Sequence, residues 1–125
     1  MRPIIFILLL WLGAGCSAVQ RRPVAWGHLR GANVEGECAA FARSAYRELH
    51  WRGVESYFVE YEWAEQGYHG AHAVVIFRDG LGNLVWADNL SKGPHRLTRA
   101  GSVLELVQQI TACATVVRGN PKIKL

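Results

Sequence analysis

The chain predicts an α+β fold, with one N-terminal helix packed on a small antiparallel sheet. A helical period runs from Gly36 to about Trp51, and a two-residue alternation followed by short apolar runs comes after it. The connections between those runs are short and turn-rich, which favours a meander of neighbouring strands. A helix followed by such strands buries its apolar stripe against one sheet face.

At 125 residues the chain forms one domain at most. Half of its residues are hydrophobic, but much of that weight lies in the first 19 positions. The remainder is near the lower end of what a self-sufficient core needs, so any site must be compact and close to the surface. The net charge of +4 is modest. No basic stripe with interleaved aromatics marks a nucleic-acid surface, and nucleic acid is not an expected partner.

Residues 1–18 read as an export segment: Arg2 supplies positive charge, Ile4 to Leu12 form an uncharged apolar run, and small residues follow. That run is short of the ~20 residues of a spanning helix. Leu12-Gly13-Ala14-Gly15-Cys16 resembles a bacterial lipobox, with Gly13 standing where the pattern prefers Leu. The resemblance implies cleavage before Cys16, lipidation of that cysteine, and a membrane-anchored protein of the bacterial cell envelope facing the periplasm or exterior. Cleavage after Ala18, giving a secreted protein, and an uncleaved anchor are the rivals. Arg21, Arg22 and Arg30 follow, placed to sit against anionic headgroups. Residues 19–35 read as a tether and lead-in, and residues 36–118 as the functional domain.

Within that domain Cys38, Phe41, Ala42, Ala45 and Leu49 share one helix face, and Gly53 ends the element as a C-cap. Val54 to Trp63 alternates as a half-solvated strand, and Ala64 to Gly70 reads as a loop. His72 to Phe77 reads as a central strand. Arg78 to Asn83 is a glycine-rich connection of hairpin length, and Leu84 to Asp88 a third strand that Ser91-Lys92-Gly93-Pro94 breaks. Ser102 and Glu105 match a capping box ahead of a helix to about Ile110. A last strand is expected over Cys113 to Val117.

Three positions carry chemistry. Cys38 opens the helix, where the unpaired amides of the first turn favour a thiolate, and Glu37 beside it works against that. The plain alternative is a small apolar residue on the core face. His72 stands where a strand emerges, held and accessible as a base must be. Asp88 shares strand parity with Leu84 and Trp86, so it points inward unless it has a partner, and a histidine on the neighbouring strand is the obvious one. Asn89 is a second candidate for that orienting role. Thiol, imidazole and carboxylate in this order point to a thiol hydrolase or acyltransferase. A metal site at His69 and His72 lacks further ligands at suitable spacing, and no metal is expected. Two exported cysteines also commonly pair, which leaves a Cys38–Cys113 disulfide as the alternative fate of the thiol.

Gly36-Glu37-Cys38-Ala39-Ala40-Phe41-Ala42, His72-Ala73-Val74-Val75 and Trp86-Ala87-Asp88-Asn89-Leu90 together resemble the core of the transglutaminase-like cysteine proteases. The likeness is nearest to the bacterial transglutaminase-like cysteine peptidases and covers roughly residues 34–92. It implies a papain/transglutaminase-like core, a protein or peptide amide as substrate, and a triad of Cys38 as nucleophile, His72 as base and Asp88 as its orienting group. The family's calcium-dependent branch has acids on both sides of the cysteine. Ala39 replaces the second here, so no cofactor is expected and calcium dependence is doubtful. The Cys38 amide is a candidate oxyanion donor, with Asn33 or Trp26 as the second. An NlpC-type peptidoglycan peptidase is an alternative, although its Pro-Gly-Asp segment is missing. A non-catalytic surface lipoprotein that keeps the fold as a binding module is another.

Overall fold

The helical period becomes α1, Cys38–Trp51, in the computed structural model of the chain, which describes residues 28, 29, 32, 35–90, 94–119 and 121–125. Its apolar face buries Phe41, Ala42, Ala45 and Leu49. Each large side chain fully removed from water there is worth about 1.5–3 kcal/mol. The helix ends in a Schellman arrangement: Gly53 N donates to His50 O and Val54 N to Leu49 O, both at 3.0 Å. Gly53 takes φ +76°, which only glycine adopts freely. Val54, expected to begin a strand, is used instead to close the helix.

The chain then forms a long hairpin of β1, Ser56–Glu65, and β2, Tyr68–Arg78, paired in register from Ser56↔Phe77 to Glu65↔Tyr68. The loop expected over residues 64–70 is therefore mostly strand. Gln66 and Gly67, at φ +49° and +82°, supply a two-residue turn whose twist suits a hairpin. The Gln-Gly pair is a weaker turn signal than Asn-Gly, and the ladder carried the strands further than their polarity suggested. His72 consequently lies inside β2 rather than at its start.

The remaining elements are β3 (Leu84–Ala87), β4 (His95–Arg96), α2 (Val103–Gln108) and β5 (Ala114–Arg118). The sheet has five strands in the order β4-β3-β2-β1-β5, so the expected meander holds for β1 to β4 and β5 returns antiparallel to β1 at the far edge. β4 has only two residues and carried no readable alternation. Ser102 caps α2 by accepting from the Glu105 amide at 3.1 Å, while the Glu105 carboxylate reaches back to the Gly101 amide at 2.9 Å.

Both faces of the sheet are covered. Val75 and Phe77 join Val85, Ala87 and the α1 residues Phe41, Ala45 and Leu49 in one cluster. Val74 and Ile76 join Val59, Tyr61, Leu84 and the α2 residues Leu106 and Val107 in the other. Burial on both faces is why β2 reads as a continuous apolar run. The chain is thus an α+β molecule with a helix on each side of an antiparallel sheet. No described helix is long and apolar enough to cross a membrane.

One close approach locks the hairpin. A Cβ at Gly70 would lie 2.7 Å from the Trp63 indole across the ladder. Gly70→Ala should cost about 1–3 kcal/mol through forced displacement of that ring. Urea denaturation of the variant checks this, and an unchanged midpoint would show that the indole moves freely.

Candidate functional site

β2 and β3 bring His72 and Asp88 together. The pairing Val75↔Ala87 sets the register, and from it the imidazole Nε2 lies 2.9 Å from Asp88 Oδ2. The carboxylate is held at both oxygens, because Oδ1 accepts the Leu90 amide at 3.1 Å. That Asx turn explains why an acid follows directly on an apolar strand. The side chains are 23% and 12% exposed, so the pair is shielded yet reachable. A carboxylate on Nε2 leaves Nδ1 as the nitrogen that can face a reacting group.

Tyr61 completes this arrangement, and sequence reasoning missed it. It stands directly opposite His72 on β1, with ring centroids 5.8 Å apart and planes at 83°. The residue is fully buried, and its hydroxyl meets Thr111 Oγ1 at 2.5 Å. Burial pushes the phenol above its ordinary value; the Thr111 hydrogen bond pulls it down, and Asp88, Cys113 and Cys38 add smaller upward contributions. Tyr61 therefore stays a neutral wall that limits how the imidazole can turn. Only the cross-strand register could have revealed it.

Cys38 is the first residue of α1, which no side-chain hydrogen bond caps; the Glu37 carboxylate does not turn in to satisfy the first amides. Cys38 and His72 line a common pocket of about 100 Å³ with Ala39, Ala71, Ala73, Glu60 and Arg118. The three alanines leave its walls low, and Arg118, which ion-pairs with Glu62, stands at its rim. Both residues border this pocket, but no hydrogen bond joins Cys38 to His72 among the described residues. By parity His72 belongs with Val74, Ile76 and Tyr61, whereas α1 covers the face of Val75 and Phe77.

Cys38 and Cys113 are both free thiols, so the alternative disulfide is not formed. Among the described residues no cluster of His, Cys, Asp and Glu is arranged to hold a metal ion. Asn89 is buried beside Asp88 at 4% exposure. His28 pairs with Glu48 at the surface, His50 stacks on Tyr46 and His95 lies against Trp86, so none joins the site. The lipidation candidate Cys16 and the oxyanion candidates Asn33 and Trp26 lie outside the described residues.

Comparison with protein-family models, curated proteins and solved structures returns no match.

Proposed function

We propose that the chain is an exported thiol hydrolase or acyltransferase with a transglutaminase-like core, acting on a protein or peptide amide. The observation that carries this reading is the shared pocket of Cys38 and His72, with the His72 imidazole held by Asp88 at 2.9 Å. His72 takes the Cys38 thiol proton, the sulfur attacks the amide carbonyl carbon, and the first-turn amides of α1 stabilise the oxyanion. The imidazolium gives its proton to the leaving amine as the C–N bond breaks, leaving a thioester on Cys38. Water or a second amine, deprotonated by His72, then attacks the thioester carbon and releases the thiol. Asp88 keeps the ring oriented and stabilises its charged form. Through a lipid on Cys16, after cleavage of the segment that precedes it, the protein would be anchored at the bacterial cell envelope.

A second reading, a surface binding module without catalysis, is favoured by the placement of His72 on the sheet face opposite α1. Iodoacetamide labelling of the native chain at neutral pH separates the two. The catalytic reading expects Cys38 to be alkylated roughly tenfold or more faster than Cys113, because the thiolate and not the thiol attacks. Equal rates at the two cysteines would favour the binding module.

A further inference from the structure

A second hollow lies away from Cys38. A pocket of about 640 Å³ opens at the other end of β2, with Arg78, Arg96 and Arg99 around it and the buried Leu84 and Leu97 in its floor. Arg78 lies six positions beyond His72 on the strand, roughly 20 Å away at the usual rise. Among the described residues no Asp or Glu lines this pocket, and Leu125 is the remaining apolar residue at its edge.

The three arginines differ in what they have left to bind. Arg78 is a strut: Nε donates to Glu55 at 2.7 Å, and its two terminal nitrogens donate to Gly82 O at 2.9 Å and Lys124 O at 2.6 Å. Arg96 is steered by a single bond to Asn83 Oδ1 at 3.2 Å and keeps most of its donors. Arg99 has no hydrogen bond or ion pair among the described residues. Arg96 and Arg99 are exposed at the mouth of a pocket that Leu84 and Leu97 also line, and cations grouped in this way raise a positive potential that an anion relieves. Guanidinium forks match oxygen anions in a bidentate manner. Forks approaching from two chain positions suit a tetrahedral group with acceptors on every side better than a planar carboxylate, which one fork satisfies. The volume also leaves room for the organic part of a ligand against Leu84 and Leu97.

We propose that this pocket binds a phosphate group, carried by a soluble phosphate ester or by a lipid headgroup, with Arg96 and Arg99 as its ligands. The proposal is independent of the Cys38 chemistry.

The test titrates the full chain with inorganic pyrophosphate in a calorimeter and sediments it with vesicles of phosphatidylglycerol or phosphatidylcholine. Saturable pyrophosphate binding is expected, weakened about tenfold or more in Arg99→Gln and Arg96→Gln and unchanged in Arg47→Gln, an exposed arginine of α1. The thermal midpoint should not move in Arg99→Gln. Loss of phosphatidylglycerol binding in Arg99→Gln assigns the phosphate to a lipid, and vesicle binding unaffected by that change assigns it to a soluble ligand. Two results overturn the proposal. One is neither pyrophosphate binding at millimolar concentration nor Arg99-dependent vesicle binding. The other is an equal loss in Arg47→Gln, which would reduce the effect to diffuse charge.

Discussion

His72→Ala should slow iodoacetamide alkylation of Cys38 by roughly tenfold or more and abolish turnover of any substrate found, a loss of about 10²–10⁴ for a missing base. Cys38→Ala should be equally inactive, and the double variant no worse than either single one, because nucleophile and base act as a unit. Asp88→Ala should keep a residual rate, since the carboxylate orients the ring and takes no part in bond making. It should also lower stability, because it removes a shielded partner that lies 2.9 Å from His72. Asp88→Asn separates the two roles by keeping the shape without the charge. The triad fails if Cys38 reactivity is indifferent to His72→Ala between pH 5 and 8. It fails equally if Asn89→Ala is dead while Asp88→Ala is fully active.

Phe41→Ala should destabilise the fold by about 3–5 kcal/mol, comparable with the whole stability of many small domains. Phe41 is 2% exposed and meets Val75, Phe77, Val85 and Ala87 in the cluster that fastens α1 to the sheet. The cavity left by its ring cannot close by moving one side chain, because its neighbours are held by strand pairing. A thermal scan should show a drop of about 10 °C or more. Arg47→Ala, on the exposed side of the same helix, should stay within about 0.5 kcal/mol. Losing the Phe41 contact also frees the helix start that carries Cys38, so Cys38 labelling should lose its distinction from Cys113. A drop in midpoint under 1 °C would show that α1 is fastened by something other than this cluster.

The helix was legible because its signals are local. The period of Phe41, Ala42, Ala45 and Leu49 and the stop at Gly53 act over a few residues, and the structure returns them nearly unchanged. The same holds for the α2 cap at Ser102 and for the apolar run from Ala73 to Phe77, whose continuity already implied burial on both faces. The meeting of His72 with Asp88 was legible too, since parity placed an acid inward beside a neighbouring strand.

What the sequence could not supply was register and layering. The extent of the β1–β2 hairpin rests on backbone hydrogen bonds between residues that are not adjacent in the chain. A weak Gln-Gly turn signal and polar residues such as Glu65 and His69 therefore concealed strand where a loop was expected. Tyr61 enters the site only because that register sets it opposite His72. Local periodicity says which residues are buried but not against what, so the second helix on the far face, and the placement of His72 on the face opposite the helix that carries Cys38, were decided by tertiary packing alone. The arginine pocket has the same origin: Arg78 of β2 and Arg96 of β4 border one pocket because β3 lies between their strands in the sheet, and Arg99 joins them from the segment that follows β4, relations that spacing along the chain does not encode.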